Sequence, residues 1–171
     1  MSKAFTRESD QDLPEDPPEP ADLLPPGVRN YVTPEGAVRL REELRELVQE
    51  IRPGVAAART AGDSEARTRL RFIDRRIATL RDRVASMEVV DPERQDEDRV
   101  RFGATVTVSD EAGEDRVYRI VGVDEADPAA GKVSWLSPIA RALLGKEEGE
   151  RVPLELPGGR ACLAILDIRY R

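Results

Sequence analysis

Two apolar seams, each spaced for one face of a helix, constrain this chain more than any other feature. Leu40, Leu44, Leu47 and Ile51 follow one another at spacings of 4, 3 and 4. Leu70, Ile73, Ile77, Leu80, Val84 and Met87 follow at 3, 4, 3, 4 and 3, the heptad pattern. Between the seams stands Ala61-Gly62-Asp63-Ser64. Gly62 suits a left-handed helix end, and Asp63 or Ser64 can cap the helix that follows. The seams bury one another only if the chain turns back there, so the spacing predicts an antiparallel helical hairpin. Thr33 is placed to cap its first helix, with Pro34 at the first helical position and Gly36 close behind. Pro53-Gly54 predicts a kink or an end to that helix, which the alanine-rich stretch 55–61 then resumes. The second arm, residues 66–88, spans about 34 Å at about 1.5 Å per residue.

A hairpin leaves its outer faces wet, which accounts for 36% charged, 39% hydrophobic and only 4% aromatic residues. Residues 1–30 read as a disordered tail, with six prolines and seven acids against three bases, too polar to offset the entropy of ordering. It is either a solvating segment or a docking peptide. The hairpin occupies 31–90, and a polar linker beginning at Asp91-Pro92 occupies 91–100. From residue 101 to residue 171 the apolar period changes to two. Strands are expected at 104–108, 116–121, 132–135, 152–156 and 161–168, with a short helix opened by Ser137-Pro138 and ended by Gly145. The fold class is α+β, a helical hairpin followed by a small, mostly antiparallel β domain carrying one short helix. Cys162 is expected as a small buried hydrophobe and Trp135 as core or rim packing.

The chain has no histidine and one cysteine. That excludes Ser-His-Asp and Cys-His catalysis, an imidazole metal ligand, a zinc-thiolate cluster and an internal disulfide. Carboxylates remain for metal or acid–base work. The formal charge of −7 resolves unevenly: the tail holds −4, whereas residues 33–88 have twelve arginines against ten acids. No apolar run suits a membrane span and the N-terminus lacks a secretory core, so a cytoplasmic protein with no membrane partner is expected.

Several stretches resemble the bacterial Gre transcript-cleavage factors, and are closer to the GreB branch than to the GreA branch. They are Tyr31-Val32-Thr33-Pro34-Glu35-Gly36, Arg52-Pro53, Ile73-Asp74-Arg75-Arg76, Phe102-Gly103-Ala104, Arg119-Ile120-Val121-Gly122 and, most specifically, the run from Ser137 to Lys146 with Gly149 and Pro157-Gly158-Gly159 after it. The resemblance covers about residues 31–171. It implies an FKBP-like C-terminal domain that docks at the secondary-channel rim of bacterial RNA polymerase, and a hairpin that enters the channel. It also implies that two tip carboxylates help hold a magnesium ion in the polymerase active site, where the polymerase hydrolyses the nascent RNA 3′ end. The protein would then be no enzyme, bind no cofactor of its own, and act as a monomer.

On this resemblance Asp63 and Glu65 are the assisting carboxylates. The family tip reads Gly-Asp, two residues, then Glu-Asn, whereas here Glu65 follows Asp63 by two positions and the asparagine is missing. The arms are also shorter than the family pattern, by about four residues in the first and about seven in the second, which withdraws the tip by roughly 6–10 Å. Asp63 and Glu65 are alternatively a helix cap and a dipole-favoured first-turn acid. Arg67, Arg69 and Arg71 stand nearest the tip, either for RNA or channel contact or for ion pairing across the hairpin. Ser137, Pro138, Arg141 and Lys146 are the expected polymerase contacts, although Ser137 also reads as a helix cap. The other readings are an Rnk-like, non-cleaving binding protein that competes with Gre factors and, by fold alone, a prolyl isomerase, for which residues 101–171 hold few aromatics.

Overall fold

The computed structural model describes residues 24–25, 27–58, 60, 63–92, 98–156 and 159–170. Of the tail assigned to residues 1–30, residues 1–23 and 26 therefore lie outside the described residues, and its last residue, Asn30, is buried in a strand. A short strand, β1 (Asn30–Val32), leads into the first arm. The capping signals act as their residue types dictate: Thr33 Oγ1 accepts from the Gly36 N–H at 3.1 Å, and Pro34 opens α1 (Pro34–Glu46). At Leu47–Ile51 the helix widens into a π turn, in which the Arg52 N–H donates to the Leu47 carbonyl. It then continues as α2 (Arg52–Ala58). The interruption expected at Pro53-Gly54 thus falls just ahead of the proline and takes the form of a wide turn rather than an end. Pro53 has no N–H to give to the helical ladder, and the distortion is taken up before it. Ala61 and Gly62 of the expected tip turn lie outside the described residues.

The second arm is α3 (Ser64–Ser86), followed by β2 (Met87–Val89). Its Ile73, Ile77 and Leu80 are buried, as are Ala37 and Leu40 of the first arm. Leu44, Leu47, Val84 and Met87 pack half-buried around the base of this seam. Towards the tip Ile51, Val55 and Leu70 are only half-buried, so the hairpin is tightest at its base. There β1 and β2 pair in parallel, Tyr31 opposite Glu88. Parallel pairing is what a crossover demands, and the whole hairpin is the crossover. Asn30 locks the arrangement, its side-chain amide donating to the Arg83 carbonyl at 3.0 Å and to Ser86 Oγ at 3.2 Å, near the end of α3. This two-stranded element has no counterpart in the seam pattern.

The remaining strands form one sheet: β3 (Ala104–Ser109), β4 (Asp115–Val121), β5 (Lys132–Ser134), β6 (Arg151–Leu156) and β7 (Gly159–Tyr170), in spatial order β5-β4-β3-β7-β6. The pairings are antiparallel except for β4 with β5, which run parallel, so the sheet is mixed. Two 3-10 turns, Val123–Glu125 and Pro128–Ala130, carry the chain across instead of a hairpin loop. Along β3, Ala104, Val106 and Val108 alternate inward. On β7 the inward residues are Leu163, Ile165 and then Ile168, and this break in alternation coincides with a register shift against β3 that leaves Leu166 exposed. α4 (Pro138–Leu143) buries Ala140 and Leu143 in the same core, and Gly145, at φ +80°, follows its end. Trp135 packs against this core. Cys162 is half-buried, not fully buried: it alternates with the buried Leu163 and lies opposite the exposed Pro153, on the face of the sheet away from the core. Among the described residues no helix is long and apolar enough to cross a membrane.

The most buried polar contact between the hairpin and the sheet is made by one turn. Glu125, in the 3-10 turn after β4, is 5% exposed. Its carboxylate accepts from the Thr33 N–H at 2.9 Å, from the Thr33 hydroxyl, and from the Gly122 N–H at 3.1 Å. Space for it exists because neighbouring positions lack side chains. A Cβ at Gly36 would stand 2.2 Å from Glu125 Cδ, and one at Gly122 would stand 2.5 Å from the Tyr31 carbonyl. Tyr31 packs against Phe102 and Trp135 on the sheet side, at ring-centroid distances of 5.7 and 5.1 Å.

The two helical glycines therefore have opposite expectations. Gly36→Ala overpacks the junction and should cost about 1–3 kcal/mol. At Gly54 nothing stands within 4 Å of an added Cβ. Gly54→Ala should then stabilise, by up to about 1 kcal/mol of helix propensity. Urea denaturation of both variants, read from their midpoints, checks the pair.

Candidate functional site

The far end of the hairpin carries the expected carboxylates. Asp63 is the N-cap of α3, its side chain accepting from the Ala66 N–H at 2.8 Å. Glu65 is exposed in the first turn. Both sit where the partial positive charge of the helix N-terminus favours an acid. One oxygen of Asp63 is therefore engaged by its own helix, while the Glu65 carboxylate faces solvent. Among the described residues no group of three or more acids or cysteines is arranged to hold a metal ion. From this tip to the base of α3, 23 residues cover about 34 Å.

The three arginines near the tip are all exposed. Helical spacing puts Arg67 and Arg71 one turn apart on a common face, and Arg69 on a different one. Arg71 reaches Thr68 Oγ1 at 3.5 Å. Further down, charge is spent on pairing across the hairpin. Arg76 pairs with Glu43 of α1 at 2.7 Å, and Arg52 of α2 pairs with Asp74 at 2.5 Å. Cross-hairpin pairing thus holds for the middle of the arm, not for Arg67 and Arg69, which form no ion pair with the described residues.

In the β domain, Ser137 is the N-cap of α4, with its hydroxyl accepting from the Ala140 N–H at 3.2 Å, and Pro138 is the first helical residue. Arg141 is exposed one helical turn beyond Ser137, in the last turn of α4, so it lies on the same face as the helix start. Lys146 lies past the other end. Its ammonium pairs with Glu150 at 3.0 Å. The Glu150 carboxyl is held below the usual carboxylate range, first by the Glu147 N–H and then by Lys146. The four residues thus form a group of three and a separate, already partnered lysine.

Sequence reasoning missed the grip on the base of the arms. Besides the Glu125 contacts, Arg39 of α1 donates to the Asp124 carbonyl at 2.9 Å, and Arg83 of α3 lies with Nε 3.6 Å from Asp124 Oδ2, both side chains largely buried. Arg119 of β4 pairs with Glu35 at 3.0 Å. One signal was present: a glycine in the first turn of a good helix former's sequence, at Gly36, is unfavourable unless something packs against it.

A long helical arm fixed at its base to a folded sheet, with acids at its free end, defines a protein built to present a tip at a distance from its anchoring domain. Comparison with known proteins gives the family. Residues 30–89 match the sequence model described as transcription elongation factor, N-terminal, and residues 95–170 match that described as transcription elongation factor, GreA/GreB, C-terminal. The chain is 42% identical over 154 residues to transcription elongation factor GreB of Neisseria meningitidis serogroup B, covering 83% of this chain and 94% of that protein. It is 41% identical over 152 residues to transcription elongation factor GreA of Hyphomonas neptunium, covering 82% and 97%. A solved structure of GreA/GreB from Nitrosomonas europaea aligns at 26% identity with a TM-score of 0.41, over 83% of this chain and 100% of that one. The chain belongs to the GreA/GreB transcription elongation factor family.

The Arg52–Asp74 pair makes a testable contribution to the arm. The hydrogen bond from Arg52, more than its charge, holds the Asp74 carboxyl below its ordinary value. A carboxyl lowered in the folded state adds stability above its unfolded pKa of about 3.9, and that stability is lost as the pH falls through the lower folded value. Asp74→Asn should therefore be slightly less stable than the parent at neutral pH, and the difference should vanish well below about pH 4. Thermal unfolding of both proteins across this range, at low salt, measures it.

Proposed function

We propose that this protein is an RNA-polymerase-binding elongation factor that performs no chemistry alone. Its β domain docks at the rim of the polymerase's secondary channel and its hairpin enters the channel. Family membership supports the polymerase as partner, and the observation that carries the reading is the single rigid arm, gripped at its base and bearing acids at its tip. Ser137, Pro138 and Arg141 form the docking face of α4, with Lys146 a flanking contact. Arg67 and Arg71, sharing a face, approach the phosphates of the RNA 3′ end or an acidic channel wall. Asp63 and Glu65 point towards the polymerase's magnesium, and hydrolysis of a backtracked transcript belongs to that metal site.

The arm is short for this task. The match to the Neisseria GreB runs over 154 positions but uses 83% of 171 residues, about 142, so about a dozen positions have no counterpart here. That supports the shortfall of about four and about seven residues read from the arms, or roughly 6–10 Å of lost reach. Magnesium–oxygen distances are about 2.0–2.1 Å, so such an offset weakens metal assistance while leaving channel entry intact.

On a stalled, backtracked polymerase complex, the protein should bind yet stimulate cleavage about 100-fold less than a long-armed GreB, by the cost of misplacing a reacting group. Adding one heptad to each arm should raise the rate, and Asp63→Ala should then remove the gain. Full stimulation by the unaltered protein, abolished by Asp63→Ala, would contradict the short-reach reading. Failure to bind core polymerase would remove the docking itself.

A further inference from the structure

We infer that Glu125 is a positioning residue: its buried carboxylate, with the turn Val123–Glu125, sets the angle at which the hairpin leaves the β domain. The inference rests on the proposed function for its consequence, though not for its geometry. The turn holds both arms. Glu125 receives the Thr33 N–H and hydroxyl at the start of the first arm, and Asp124 faces Arg83 near the end of the second. Arg39 adds a third tie, to the Asp124 carbonyl. The same carboxylate is tethered to its own domain through the Gly122 N–H at 3.1 Å. Gly36 leaves room for the Glu125 side chain, and Gly122 for the Tyr31 carbonyl, at distances that a Cβ would forbid.

This is not a general adhesive contact. A buried carboxylate with donors from both modules has few satisfactory placements, so it selects one orientation where an apolar patch would tolerate sliding. Leverage makes the selection matter. With an arm of about 34 Å, a rotation of about 10° at the base carries the tip about 6 Å. That is as large as the lower estimate of the reach lost by shortening. A factor with little reach to spare depends on its base angle more than a long-armed one. Glu125 touches neither the polymerase nor RNA in the proposed pose, and acts through the tip.

The test uses the full chain with spin labels at Thr60→Cys and Glu111→Cys in a Cys162→Ser background. The parent should give one narrow tip-to-sheet distance. Glu125→Ala and the near-isosteric Thr33→Val should broaden it, whereas Thr33→Ser, which keeps the hydroxyl, should restore it. Circular dichroism and urea midpoints establish that each variant is folded, and Glu125→Gln supplies a volume-conserving form if the alanine variant is not. An unchanged distribution in folded Glu125→Gln and Thr33→Val would overturn the inference.

The functional arm separates this from the reading it rests on. With core polymerase, Glu125→Gln should keep its dissociation constant while its effect at saturation falls about tenfold, as expected for a misplaced tip on an intact dock. A variant with a broadened distribution and an undiminished saturating effect would also overturn the positioning role. If the parent itself does not bind polymerase, the proposed function fails, and the distance measurement alone decides whether Glu125 sets the angle.

Discussion

One buried carboxylate lies at the centre of the contacts that join the two halves of this molecule. Glu125 is buried against the hairpin, and three of its hydrogen bonds come from backbone or hydroxyl groups that need a partner in any case. Thr33 is bound from two directions: its hydroxyl donates to Glu125 while accepting from the Gly36 N–H, so the helix cap and the domain contact are one network. Loss of the Thr33 hydroxyl would remove both at once. A buried ionised group left without its partners is costly, which ties the orientation of the hairpin to this one network.

Around that contact the rest of the fold divides its labour. The sheet core, centred on Val106, Val108, Ile120 and Ile165, is fully apolar and gives a base that does not deform. The hairpin core is small, with Val32, Ala37, Leu40 and Leu80 its most enclosed members, and lies entirely at the base. Beyond it the arms are held by the buried Ile77 and Ile73, then by half-buried side chains and exposed ion pairs. Stability therefore falls along the arm from base to tip, while the residues exposed to a partner increase. An arm that enters a channel needs that distribution: its outer faces must stay polar, so its rigidity has to come from one end.

Much of this was legible in the chain. The seams at Leu40–Ile51 and Leu70–Met87 gave the hairpin because a heptad pattern has one economical solution when two copies face each other. The strands of the sheet followed from period-two alternation, and Thr33, Asp63 and Ser137 acted as caps as their chemistry predicts. What was not legible depends on contacts distant in sequence. Three-residue strands such as β1 and β2 have no periodicity to read, and the parallel direction of β5 is set by two 3-10 turns rather than by its own residues. Glu125 reads as one acid among many in a polar stretch, and only its hydrogen bonds to Thr33 and Gly122 separate it from Asp124 beside it. At the tip, sequence spacing already separated Asp63 from Glu65, and the structure adds that Asp63 is engaged by its own helix.

The π turn at Leu47–Ile51 bears on how a hairpin of this kind changes length. In a plain pair of α-helices, the apolar seam keeps its phase only if the residues removed make up nearly whole turns, about seven or about eleven, since other numbers rotate the far part of the arm away from its partner. A π turn holds nearly one residue more than an α turn, so it takes up a remainder. The first arm can then lose a number of residues that does not make up whole turns while Leu40 and Val55 still face the second arm. Reach in such a factor is a quantity that can be trimmed finely, with the phase error absorbed midway and the grip at the base untouched.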